Sequence, residues 1–287
     1  MVVIGATSLV GRYLLPRLAA TGRVVDAISR REPDIPTTPS VQWHRLDVVR
    51  GPGGMPAAAT AVHLAPLWLA PPLIAPLAAS GLRRLIAFGS MSRLTKERSP
   101  DTRERAVARR LAEAEDAVRA ACARHAIACT VFRPTLIYGG GRDRSLSAMA
   151  RWARRLRFLP IAGDGRGLRQ PVHADDLAAA CVLALDTPAT EGRTYDVGGG
   201  TVLTYRALAE TVCRAAGGRR VIGVPPALLR GAFRLAALFP GYREVTGAMV
   251  DRMESDLIVD HAAAVRDFGY APRAFAYPDA PRPDAAR

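Results

Sequence analysis

Two glycines six residues apart frame the first chemistry this chain can do. Gly5-Ala6-Thr7-Ser8-Leu9-Val10-Gly11 follows the β-branched run Val2-Val3-Ile4 and precedes a helical stretch over residues 12–20. Strand, glycine turn and helix aim free backbone N–H groups and a positive helix end at one point, where a pyrophosphate fits. Ser8 takes the middle position, where a glycine would allow the closest approach; its hydroxyl can donate to a phosphate oxygen instead. The next strand, over residues 23–30, runs into Ser29-Arg30-Arg31. An acid at that end would hold the two ribose hydroxyls of NAD, whereas an arginine offers a planar fork to a phosphate, so Arg30 favours NADP over NAD. Asp26 lies too early in the strand to reach a ribose. Five further residues have the chemical type for catalysis or substrate contact: Ser90 and Ser92 after a strand, Lys96, Tyr138 and His173. Lys96 is the chain's single lysine; it reads either as a desolvated base or as a solvated loop residue beside Glu97.

The elements that must position these residues alternate. Further strands are expected over residues 41–46, ending at Asp47-Val48, and over 61–65, 84–88 and 127–132, with a long helix over 102–125. Val107, Leu111, Ala114, Val118 and Ala121 recur on that helix at the spacing of one buried face. Pro33, Pro36 and Pro39 mark a loop. Strands alternating with helices predict a doubly wound parallel sheet with right-handed crossovers. From about residue 139 the alternation loosens. A basic helix over 145–156, a turn over 160–167, a helix over 172–185 with Asp175 and Asp176 in its first turn, and a helix capped by Thr204 are expected there. An apolar helix over 225–239 and a frayed proline-rich tail over 278–287 complete the chain. The fold class is therefore α/β: a Rossmann-type domain over 1–138, to which parts of 168–200 return, and a smaller C-terminal α/β lobe over 139–277.

Bulk properties narrow the function classes. The formal charge of +14 comes almost entirely from scattered arginines with few aromatics among them. That pattern argues for an anionic small-molecule substrate rather than nucleic acid. Residues 51–82 carry no charged side chain, but Pro66, Pro71, Pro72 and Pro76 interrupt them, so no transmembrane helix is expected. Cys122, Cys129, Cys181 and Cys213 have no metal-type spacing and read as buried thiols; no metal is expected. A chain that opens on a strand and a glycine turn is expected to carry no signal peptide and to be cytoplasmic.

Five segments in order give the chain a resemblance. They are the loop 5–11; Arg133-Pro134-Thr135-Leu136-Ile137-Tyr138-Gly139; the stretch 169–178 containing Arg169, Gln170, Pro171, Val172, His173, Asp175 and Asp176; Tyr195-Asp196-Val197-Gly198-Gly199; and Arg266-Asp267-Phe268-Gly269-Tyr270 within 260–272. The chain resembles the extended and atypical short-chain dehydrogenases/reductases, in particular the NAD-dependent epimerase/dehydratase branch. The resemblance implies a cofactor held by Gly5, Thr7, Ser8, Leu9, Val10 and Gly11 at the pyrophosphate, Asp47 and Val48 beside the adenine, and Leu64 and Ala65 beneath the ribose and nicotinamide. Arg110 and Pro134 complete that set. Tyr138, Arg169 and His173 line the implied substrate cleft, and a nucleotide sugar or a specialised metabolite is the implied substrate. Many relatives pair two long helices in a dimer, which makes 102–125 a candidate homodimer face.

That family's usual chemistry needs a tyrosine and, four residues later, a lysine on one helix face, so that the lysine and the ribose lower the tyrosine pKa. The helix over 102–125 has neither residue. The two positions fall on Arg105 or Ala106 and on Arg109 or Arg110, and an arginine keeps its proton. Three functions stay open: an atypical oxidoreductase or epimerase-like enzyme that uses Ser90, Ser92, Lys96 or Tyr138; a non-catalytic NADPH-binding sensor; and a structural or assembly partner.

Overall fold

The structure is a computed structural model that describes residues 1–31, 38–143, 145–236 and 247–278. In chain order it begins β1 (Val2–Ile4), α1 (Leu9–Ala20), β2 (Val25–Ser29), β3 (Val41–Arg45), β4 (Thr60–His63), α2 (Pro71–Ala79), β5 (Arg84–Phe88), α3 (Ser92–Thr95), α4 (Thr102–Arg124) and β6 (Ala128–Pro134). It continues β7 (Ile137–Tyr138), α5 (Ser145–Leu156), β8 (Phe158–Ala162), β9 (Leu168–Arg169), β10 (Val172–His173), α6 (Ala174–Leu185), β11 (Thr194–Val197), β12 (Leu203–Thr204), α7 (Tyr205–Ala215), β13 (Arg220–Val224), α8 (Pro226–Ala236), α9 (Gly247–Arg252) and α10 (Ala262–Phe268).

Seven strands form one parallel sheet in the order β11-β6-β5-β4-β1-β2-β3. The order reverses between β1 and β4, and this is where an open α/β sheet forms a crevice at its carboxyl edge. Because both faces are covered, the central strands are largely apolar rather than alternating. Val3, Val62 and Ile86 pack under α1 and α6 on one face; Ile4, Ala61, Leu85 and Val131 pack under α2 and α4 on the other.

The polar interior is fastened by arginines. Arg84, at the amino end of β5, donates to the carbonyls of Leu85, Ala128 and Ala184 and to the hydroxyls of Thr130 and Thr190, which ties β5, β6 and α6 together. Arg273 donates to Asp176 at 2.9 Å and to Asp175 at 2.5 Å, and Arg17 of α1 reaches Asp175 at 2.6 Å. Burial works against ionising Asp175, but these two guanidiniums outweigh it and hold its pKa below the ordinary carboxylate range.

Several sequence expectations change. The turn expected over 160–167 begins as a strand: β8 pairs in parallel with β13 to make the small sheet of the C-terminal lobe. There Leu159, Ile161, Leu229, Phe233, Val250 and Met253 form a core of their own. The helix expected from 172 starts at Ala174, because Val172 and His173 pair with Ile137 and Tyr138. Val107 is 39% exposed; the buried face of α4 instead carries Glu104, Ala108, Leu111 and Glu115. Two acids there broke the apolar periodicity. The apolar helix expected over 225–239 is seen as α8, and 237–239 lie outside the described residues, as does the expected tail from 279 onward. All four cysteines are buried and unpaired.

His63, at the carboxyl end of β4, is 1% exposed; its Nε2 lies 3.3 Å from the carbonyl of Pro66, and Nδ1 has no partner. Burial lowers its pKa to about 4, the Pro66 hydrogen bond opposing only in part. The imidazole must be neutral in the fold, so its stabilising share is complete above the unfolded pKa near 6.5 and is lost as pH falls toward 4. Urea unfolding of the wild type should lose roughly 3 kcal/mol over that window through this residue. His63→Leu should flatten the same limb, and an unchanged pH dependence in that variant would exclude His63 as its source.

Candidate functional site

The loop between β1 and α1 is built on two close approaches. Gly5 has φ of 80°, the left-handed region where glycine is unstrained, and a Cβ there would lie 2.7 Å from the backbone nitrogen of Ala65. A Cβ on Gly11 would overlap the carbonyl oxygen of Ala6. The first glycine therefore lets β1 turn beneath β4, and the second lets α1 start against the turn. Ser8 is the N-cap of α1, its Oγ accepting from the Gly11 N–H at 3.1 Å. The expected contact through Ser8 is thus supplemented by a capping role, with the hydroxyl proton still available. Val10 is buried in the core, and Leu9 packs against it. Thr7 Oγ1 lies 2.9 Å from Ser29 Oγ, which also accepts from the Arg31 N–H at 3.1 Å, so the tip of the loop is joined to the end of β2.

Beyond β2 the chain forms a cavity of about 480 Å³ lined by Arg30, Arg45, Leu46, Asp47, Arg50, Gly51 and Gly53. Arg30 was visible in sequence; Arg45 and Arg50 join it because β3 runs parallel to β2 and the following turn folds back over its end. Asp47 caps that turn, accepting from the Val49 N–H at 3.2 Å, and Val48 is buried beneath. Asp26 faces elsewhere and pairs with His44 at 2.7 Å. Three arginines and a single carboxylate thus border one cavity, a charge balance that suits an anion.

Along the carboxyl edge, Leu64 packs against the α1 side of the core and Ala65 abuts Gly5. Arg110 on α4 lies over the Trp68 ring at 4.3 Å. Pro134, the last residue of β6, accepts from the Met91 N–H at 3.1 Å, so the turn after β5 rests on the end of β6. In that turn, Ser90 Oγ accepts from the Ser92 N–H at 3.1 Å, and Ser92 opens α3. Lys96 Nζ lies 3.5 Å from Glu104, which also accepts from Ser99 at 2.8 Å and from Arg252 of α9. This cluster is the point where α4 meets the C-terminal lobe. Glu104 and Arg252 were not singled out in sequence; the available signal was a pair of acids, Glu104 and Glu115, on the face of α4 that carries Leu111 and Val118.

The three expected cleft residues are buried. Tyr138 is 1% exposed, with edge-on rings from His173 at 5.1 Å and Phe275 at 5.1 Å. His173 caps α6, its Nδ1 accepting from the Asp175 N–H at 3.1 Å, and meets Tyr13 edge-on at 5.2 Å. Arg169 is 4% exposed and donates to the carbonyls of Leu168, Ser255 and Arg252; burial lowers its pKa to about 10. Arg133, of the same sequence segment as Tyr138, lies with Arg93 against the buried carboxylate of Glu115.

Residues 74–198 match the model of the NAD dependent epimerase/dehydratase family. Among solved structures, MoeE5 in complex with UDP-glucuronic acid and NAD superposes with a TM-score of 0.70 at 20% identity, covering 96% of this chain and 94% of that one. Among curated proteins, y4nG of Sinorhizobium fredii is 29% identical over 187 residues, 63% of this chain and 45% of that protein. The mitochondrial NADH dehydrogenase [ubiquinone] 1 alpha subcomplex subunit 9 of Arabidopsis thaliana is 40% identical over 82 residues, 28% of this chain and 20% of that subunit. The chain thus spans less than half the length of these two curated relatives.

The loop geometry itself can be checked. Gly11→Ala drives a methyl group into the Ala6 carbonyl, and backbone on both sides leaves little room to relax. A loss of about 2 kcal/mol in urea unfolding is expected, within the range for overpacking, together with a loss of any dinucleotide-induced rise in melting temperature. A variant as stable as wild type would refute the close approach.

Proposed function

We propose that this chain, which carries an NAD dependent epimerase/dehydratase family domain, binds NADP(H) in preference to NAD(H). The observation that supports this most directly is the cavity lined by Arg30, Arg45 and Arg50 at the ends of β2 and β3. Charge-assisted hydrogen bonds from such forks suit a 2′-phosphate and not a bare ribose hydroxyl. The rest of the site fits the same molecule. Gly5 and Gly11 close the turn against the amino end of α1, where a pyrophosphate would lie, and Asp47 and Val48 border the adenine side. Leu64, Ala65, Arg110 and Pro134 border the nicotinamide side. When bound, the dinucleotide would supply hydride chemistry, with the protein providing orientation.

The role that best accords with these residues is to hold the dinucleotide without the proton shuttle of the epimerases. Helix α4 contains no tyrosine and no lysine, and Tyr138 is enclosed by His173 and Phe275. The segment shared with a mitochondrial NADH dehydrogenase subunit accords with a sensor or an assembly partner. A second reading, an atypical oxidoreductase or epimerase-like enzyme on a small anionic substrate such as a nucleotide sugar, is favoured by one observation. Lys96 and Glu104, an amine and a carboxylate 3.5 Å apart, lie just beyond the turn that carries Ser90 and Ser92.

Two measurements divide these possibilities. Arg30→Ala, Arg45→Ala and Arg50→Ala should each weaken NADPH binding by between about tenfold and a hundredfold, the value of a lost hydrogen bond to a charged group, with NADH binding little changed. Equal losses for the two dinucleotides would overturn the NADP(H) assignment. A panel of sugar nucleotides and carbonyl compounds with NADPH should give no turnover if the protein only holds its ligand. Turnover that vanishes in Lys96→Met, with NADPH binding intact, would establish the enzyme instead.

A further inference from the structure

Two groups of arginines, four within residues 151–157 and the pair Arg219-Arg220, come together at one end of the C-terminal lobe. Arg151, Arg154 and Arg155 are exposed on α5, and Arg157 follows the helix end with φ of 65°. The Arg219 N–H donates to the Arg157 carbonyl at 2.7 Å, and Arg220 stands in register with Phe158 where β13 and β8 begin. Gly218 brings this turn onto α5, since a Cβ there would lie 3.3 Å from that of Ala153. All six side chains are exposed.

Several arginines elsewhere find acids: Arg17 with Asp175, Arg93 and Arg133 with Glu115, Arg230 with Asp251, Arg252 with Glu104, and Arg273 with Asp176. Among the described residues, none of the six has a carboxylate within ion-pair distance, and Glu210 on the neighbouring α7 is taken by Arg206 at 3.8 Å. Six like charges held together repel one another unless an external anion lies across them.

The same lobe carries exposed apolar side chains. Leu156, at the end of α5, is 39% exposed. Trp152, one turn earlier, meets Phe233 of α8 edge-on at 6.3 Å, and the opposite side of α8 presents Leu228 and Leu235, which are 66% and 65% exposed. Gly231 and Ala232 lie between these two leucines, so the outward stripe of α8 bears no charge. We infer that this face of the C-terminal lobe docks on an anionic lipid bilayer, guanidiniums on headgroup phosphates and leucines at the acyl boundary. A nucleic acid would gain from aromatic platforms, and the aromatics here, Trp152 and Phe233, are turned into the lobe. The docking is peripheral: among the described residues no helix is long and apolar enough to cross a membrane.

Sedimentation of the full chain with extruded vesicles tests this. The chain should pellet with vesicles of three parts phosphatidylcholine to one part phosphatidylglycerol and not with phosphatidylcholine alone. About 1 M salt, where the Debye length is about 3 Å, should release it. Each arginine near an anionic surface is worth about fivefold in partitioning. The triple variant Arg154→Glu, Arg155→Glu, Arg219→Glu should therefore lose at least about a hundredfold, while Arg103→Glu, an exposed arginine on α4, should lose little. Leu228→Ser with Leu235→Ser is the independent second variant and should lose severalfold. Unaltered far-ultraviolet dichroism and an unaltered NADPH-induced melting shift would show that the lobe and the dinucleotide site are intact in each. No pelleting, equal pelleting with neutral vesicles, or equal loss in Arg103→Glu would overturn the proposal. So would a short DNA duplex that binds more tightly than the vesicles and fails with the same triple variant.

Discussion

Everything at the carboxyl edge of the sheet depends on two places where one backbone touches another without a side chain between. Gly11 lets α1 begin against the carbonyl of Ala6, and Gly5 lets the turn after β1 lie against Ala65 after β4. Together they fix α1 over the point where the strand order reverses, so that its amino end faces the crevice. The close packing also orders the loop by local means: Ser8 caps the helix, and Thr7 meets Ser29 at the end of β2. The end of β2 is thereby held beside the loop, with Arg30 immediately beyond it.

Around that edge, charge is distributed unequally. In the Rossmann half, most interior arginines are neutralised by carboxylates or by carbonyls, as at Glu115, Asp175, Asp176 and the five acceptors of Arg84. These contacts fasten elements that are far apart in sequence. The arginines around the cavity beyond β2 and those on the outer face of α5 lack such partners in number. An arginine-rich chain thus separates its cations into those that hold the fold and those that face a cavity or solvent. The buried acids of α4 belong to the first group: Glu115 receives Arg93 and Arg133, and Glu104 joins Lys96, Ser99 and Arg252 across the two lobes. Helix α4 thus ties β6, α3 and the C-terminal lobe together through its two buried acids.

Much of the fold was legible because its signals are local. Short β-branched runs separated by amphipathic stretches dictate a parallel α/β sheet, and the seven-stranded sheet has that architecture. Where the alternation loosened, legibility fell for physical reasons. β8 contains Pro160 and follows a run of arginines, and it is a strand because β13, some sixty residues later, pairs with it. Val107 fits the helical spacing of an apolar face yet is exposed, because Glu104 and Glu115 take the buried side once basic partners arrive from α3, β6 and α9. Tyr138 and His173 stood out by residue type and Arg169 by the resemblance of its segment, but burial and ring packing depend on chain segments that a linear reading does not bring together.

By itself the sequence determined the features that need only neighbours: the glycine turn between a strand and a helix, the arginine at the end of the next strand, and the lack of a tyrosine between Tyr13 and Tyr138. Each is set by backbone sterics or by residue chemistry within a few positions. Only the tertiary structure decided which charges meet. Arg45 and Arg50 join Arg30 through strand pairing, Arg252 reaches Glu104 across the lobes, and Arg157 meets Arg219 through the register of a two-stranded sheet. Electrostatic contacts act over distances in space, and sequence separation carries no information about those distances until the sheet order is fixed.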